Sequence, residues 1–220
     1  VVPAGGRTAG RRGQSQFSRV ERQCLKDVGL ACYRSAPADD DAGRRFSPTL
    51  HSVIRKGEDP VDDSERDTLL MFLEAQRASV LAIIEGLDDE ALTTPLLPSK
   101  WTPLGLVEHL GYAERHWFQE IACGSAEPLP WPDDDVPLTT PRPPSKVFAF
   151  YRDQCERSNA VLASMPLSTP PRGRHPSPLG DEITDLRRIV LHMIEETARH
   201  AGHLDIVREL IDGKTGLGPR

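Results

Sequence analysis

Between positions 64 and 85, Leu70, Leu73, Val80 and Ile84 recur at alternating steps of three and four. Leu87 closes the series and Arg77 stands in the same row. This spacing lines the residues up along one side of a helix, the seam by which a bundle helix packs. It predicts a first helix over 64–85, ended at Gly86. A second opens at Thr102-Pro103, a hydroxyl in the cap position followed by proline in the first turn. It runs to Ala122 and stops before Gly124. A third, less regular, spans 145–164. The fourth is the clearest, from Glu182 to Ile211, closed by Gly213 with Lys214 beyond it. No segment shows the period-two alternation of a strand. The expected fold class is all-α, a four-helix bundle over residues 62–213 with a short tail at 214–220.

Proline sharpens this division. The chain has twenty, clustered at 128–144 and 166–178. Proline cannot continue a helix interior, so these clusters are connections. The first is long enough to cross the bundle. Residues 1–61 are rich in Gly, Arg, Ser and Asp without a sustained period, and a disordered N-terminal extension is expected there, with a weak helical stretch at 17–30.

Charge and cysteine usage narrow the partners. Residues 1–60 hold eleven Lys or Arg against seven Asp or Glu, and the remainder holds sixteen against twenty-six. The folded part is therefore acidic and offers no basic face to a phosphate backbone, so no nucleic-acid partner is expected. Cys24, Cys32, Cys123 and Cys155 form no Cys-x-x-Cys pair and support neither a disulfide framework nor a zinc knuckle. No apolar run reaches the roughly 18 residues of a membrane helix. No apolar signal core follows the N-terminal arginines. A cytoplasmic location is expected.

The candidate chemistry lies on the polar residues that fall on apolar faces. Along the fourth helix, at 100° per residue, His200 lies within the stripe of Leu186, Ile189, Val190, Met193, Ala201, Leu204 and Val207, and Glu196 lies on its shoulder. His192 and His203 sit at its boundary. Four residues apart, Glu196 and His200 stack on one face, where a carboxylate oxygen and an imidazole nitrogen can reach one ion. An ionised Glu on such a face needs a cation or hydrogen-bond donors. On the second helix His109 lies at the edge of the apolar face with His116 beside it, and either offers a third donor. His-Glu-His with an open position is a common catalytic zinc arrangement. The bland reading, an i, i+4 pair as ordinary helix decoration, uses the same spacing. His51 and His175 lie in tail and linker and receive no role, and Trp117 reads as core. Separately, Arg77 and Glu114 both point inward, which predicts a buried ion pair fixing the register of two helices. Its rival is Arg77 as an anion anchor in a pocket.

The segments Leu104-Gly-Leu-Val-Glu-His-Leu110, Glu114-Arg-His-Trp-Phe118 and His192-Met-Ile-Glu-Glu-Thr-Ala-Arg-His-Ala-Gly-His-Leu-Asp205 resemble the DinB-like metal-binding helical bundles. Thr68-Leu-Leu, Gln76-Arg77 and Arg208-Glu-Leu-Ile-Asp-Gly213 are similar to the same branch, one without an assigned activity. The likeness covers residues 64–213. It implies a divalent metal, zinc first and nickel second, held by His109, Glu196 and His200. Many members carry His at the first of the fourth-helix positions. Glutamate there is similar to the mycothiol-dependent maleylpyruvate isomerase branch. The resemblance therefore implies a metal-dependent transferase or isomerase using a low-molecular-weight thiol such as mycothiol. His192 and His203 would support the ligands or touch the cofactor. The alternatives are a metal-assisted hydrolase and a non-catalytic, metal-stabilised bundle that binds a small molecule or dimerises. The expected partner is a small-molecule substrate, and the resemblance also implies a homodimer as one assembly.

Overall fold

A computed structural model describes residues 60–125 and 137–216. The expected N-terminal extension and the stretch at 17–30 lie outside the described residues. Four long helices make the bundle: α1 (Pro60–Ile84), α3 (Pro103–Glu114), α4 (Pro144–Ser164) and α6 (Leu186–Asp212). Two short ones, α2 (Asp89–Thr93) and α5 (Leu179–Glu182), interrupt the connections. Among the described residues there is no strand, and no helix is long and apolar enough to cross a membrane.

The direction of each helix follows from its contacts. Arg187 at the start of α6 donates to Glu65 at the start of α1, and Arg208 near its end donates to the Ile83 and Glu85 carbonyls. These two helices are parallel. Arg208 also supplies donors that the last turn of α1 lacks by itself. In the same way Arg142 reaches Glu108 and Gln119 donates to Gln154, so α3 and α4 run parallel. One core layer joins Leu73, Trp117, Phe118, Leu162, Ile189 and Met193, and the other joins Val80, Leu104, Leu110, Tyr151 and Leu204. The pairs therefore oppose one another, in the order up, down, down, up. The end of α3 and the start of α4 stand at opposite ends of the bundle. The residues just before α4 lie beside the start of α3, where the Thr102 N–H donates to the Leu138 carbonyl at 3.0 Å. A Cβ at Gly105 would strike that carbonyl, which explains glycine there.

Local signals hold at three helix ends. Thr102 accepts from the Gly105 N–H, with Pro103 in the first turn, and Gly86 and Gly213 take positive φ where α1 and α6 finish. Helix α1 begins at Pro60, four residues before the predicted start at Ser64, and two further differences are larger in consequence. Helix α6 begins at Leu186 rather than Glu182, because Asp185 caps it and the Leu186 and Arg187 N–H groups donate to the Thr169 and Leu167 carbonyls. The predicted second helix does not stay α. From Arg115 to Ala122 it widens into a π-helix, with six of its eight residues buried. Nothing in residues 115–122 announces the change.

Candidate metal centre

Arg77 and Glu114 stand at the centre of the bundle, 3% and 0% exposed. The guanidinium donates from Nε to Oε1 at 2.7 Å and from Nη2 to Oε2 at 2.6 Å. Its Nη1 donates to Glu74 and Asn159, and Asn159 donates in turn to Glu74. Burial opposes the guanidinium charge, and the Glu114 carboxylate overrides it, so Arg77 is held charged beyond its ordinary range. The network is closed on itself, with each guanidinium nitrogen engaged.

The donors of the proposed metal set come from α3 and α6. Nearly two turns into α3, His109 faces α6, where Glu196 and His200 occupy successive turns. Nε2 of His200 lies 2.9 Å from Oε1 of Glu196, and Nε2 of His109 lies 3.3 Å from the same oxygen. One donor atom from each residue lies within 4.8 Å of the others. The side chains are 21%, 22% and 14% exposed for His109, Glu196 and His200, so the group opens to solvent without being solvated.

Hydrogen bonds from His109 and then from His200 hold the Glu196 carboxyl well below its usual range. Among the described residues no arginine or lysine pairs with it. Two imidazole nitrogens and an ionised carboxylate, converging without another cation, fit zinc or nickel and not the all-oxygen shell of calcium or magnesium. Behind His200, Nδ1 stands 3.3 Å from Nδ1 of His203. His203 is exposed and tilts against Trp101 at 6.3 Å between ring centres. Its own charge is disfavoured by burial and by His200 and Arg199.

The remaining histidines form a different group. His116 does not join His109. The π turn and the connection after α4 bring it to His175, with Nε2 at 2.9 Å from Nδ1, while its Nδ1 faces Glu120 at 2.8 Å. Trp117 is buried between them, its ring 4.7 Å from that of His175 and 4.5 Å from that of His192. His192 thus lies against Trp117, one turn before Glu196, and burial pushes its pKa down. His175, a linker residue with no expected role, is thus brought into contact with a buried histidine. A linker histidine carries no periodicity, so the sequence held no signal for it.

An up-down-down-up bundle with His109, Glu196 and His200 converging between its second and last long helices defines the class, a DinB-like helical bundle. Within it, the chain belongs to the mycothiol-S-transferase family, whose profile matches residues 68–213. A search of the curated proteins found no match.

Proposed function

We propose that this protein transfers the sulfur of mycothiol, or of a closely similar low-molecular-weight thiol, to an electrophilic small molecule at a divalent-metal centre. The metal is held by His109, Glu196 and His200, with zinc the first choice and nickel the second. The observation that carries this reading is the convergence of these three donors in a chain of the mycothiol-S-transferase family. Three protein donors are the number used by catalytic zinc sites, whereas structural sites use four. Bound there, a divalent ion supplies the Lewis acidity that lowers the pKa of a coordinating thiol.

The chain's own residues set the conditions for that chemistry. Glu196 stays ionised and offsets one positive charge. His203, through Nδ1 of His200, fixes which ring nitrogen of His200 faces the centre. His192 is kept neutral by burial, against the pull of Glu196 on its charge. Trp101 packs against His203 on its outer side. The same reading places the reaction in the cytoplasm, where low-molecular-weight thiols are kept reduced. Hydrolysis by metal-activated water uses the same donors, and the family match favours the thiol.

The test is conjugation of mycothiol to a panel of electrophiles by zinc- and nickel-loaded protein, followed as loss of free thiol. Acceleration over the uncatalysed rate, abolished in Glu196→Ala and His200→Ala, is expected. Equal rates with wild type, either variant and no protein would sink the reading.

A further inference from the structure

Seven histidines occur in the chain, and the six among the described residues divide into two neighbouring groups. One is the centre above, with His109, His200 and His203. The other gathers His116, His175 and His192 around Trp117, at ring separations of 5.2, 4.7 and 4.5 Å. The proposed transfer gives the His116–His175 pair no part.

The placement of this pair is built into the fold. His116 lies in the π segment and is buried, with Glu120 one turn on. His175 comes from the Pro-rich connection after α4, and that connection is pinned. The Arg172 and Gly173 N–H groups both donate to the Ile121 carbonyl, at 3.1 and 2.8 Å. A Cβ at Gly173 would strike the Glu120 carbonyl, so the two backbones meet closely there. Glu120 accepts from Nδ1–H of His116, which leaves the Nε2 lone pair facing His175. A carboxylate behind an imidazole whose far nitrogen is presented outward is the arrangement that recurs in metal-binding histidines.

We propose that Nε2 of His116 and Nδ1 of His175 form a second divalent transition-metal site, weaker than the first, with Glu120 orienting His116. Two imidazole donors select zinc, nickel or copper over magnesium or calcium. Two Zn–N bonds at a tetrahedral angle span about 3.3 Å. The 2.9 Å separation must therefore open by a few tenths of an ångström, and the partly exposed His175 side chain can yield that much. The hydrogen between the rings must also leave. His175 changes from the Nδ1–H to the Nε2–H tautomer through solvent, with no change of net charge. Burial disfavours the imidazolium form of His175, so it does not first have to lose a proton. Two donors come together here among the described residues, so water would complete the coordination and the ion would exchange readily.

Zinc and cobalt titrations of the full chain, followed by equilibrium dialysis with elemental analysis and by cobalt absorption, test the proposal. Wild type should take up two equivalents, the second more weakly. His175→Ala and His175→Gln should each lose the weak equivalent and keep the tight one, with unchanged helical circular dichroism. Glutamine keeps a hydrogen-bonding group beside His116, so its agreement with alanine separates metal ligation from loop anchoring. The Glu196→Ala/His200→Ala double variant should lose the tight equivalent and keep the weak one. If wild type saturates at one equivalent, or both His175 variants bind as wild type does, the pair is a loop latch only and the proposal is overturned. If the tight equivalent survives the double variant while the His175 variants behave as stated, the central assignment fails and this one stands.

Discussion

Arg77 and Glu114 meet across α1 and α3 through two parallel hydrogen bonds of 2.7 and 2.6 Å, in a position almost closed to water. A buried pair of this kind is held by its partners more than it stabilises the fold. Removing one charge strands the other, at a cost of about 3–5 kcal/mol. Arg77→Ala and Glu114→Ala should therefore each lower the urea midpoint sharply. A double replacement by Met and Leu should recover most of the loss while thiol conjugation is retained. Conjugation lost in a stably folded double variant would favour the anion-anchor reading of Arg77 instead.

Stability should follow the metal. A ligand that binds only the folded chain stabilises by about 2.7 kcal/mol at a hundredfold excess over its Kd. Chelation should lower Tm in wild type and by a much smaller amount in Glu196→Ala, which has lost the tight centre. His203→Ala keeps all three donors but removes the group behind His200, so metal affinity should fall on the order of 10–100-fold. Unchanged affinity in that variant would remove His203 from the centre.

Acid should destabilise the chelated protein in two windows. Burial lowers the pKa of both His175 and His192 below the ordinary 6.5, so the unfolded chain binds these protons first. Their contribution is complete above about pH 6.5 and is lost as the pH falls from there towards the folded values. Glu196, lowered from 4.5 by His109 and His200, adds stability that is present above that value and lost as the pH falls further, through its folded value. Urea unfolding at a series of pH values should show the first decline shallower in His192→Asn. A slope identical to wild type would contradict the buried neutral imidazole.

Gly105→Ala tests the seating of residues 138–139 against the start of α3. The added methyl meets the Leu138 carbonyl, and the strain of such overpacking is about 1–3 kcal/mol. Gly202→Ala, where the new Cβ meets nothing within 4 Å, is the control and should not destabilise. Equal midpoints for the two variants would mean that residues 137–139 do not hold their place.

Much of the site was legible because a helix repeats itself. The spacing of Glu196 and His200, the seam position of Arg77 and the inward placement of Glu114 follow from 3.6 residues per turn. The Thr102-Pro103 cap and the Gly86 and Gly213 stops are local backbone chemistry and survive any packing. His116 was harder, because the wheel assumed an α-helix through residue 122. The wider π turn, with six residues buried against α4, α6 and the connection at 172–173, is set by packing from outside the segment.

The sequence by itself determined where the long helices run, which faces turn inward and which pairs of polar residues share a face, since all of these depend on neighbours within a turn or two. Only the tertiary structure decided the up-down-down-up order, the meeting of His109 with Glu196, and the pairing of His116 with a linker histidine 59 positions away. Those relations join residues far apart in the chain. No local period encodes them, and they are fixed when several helices and a proline-rich connection exclude water from the same space.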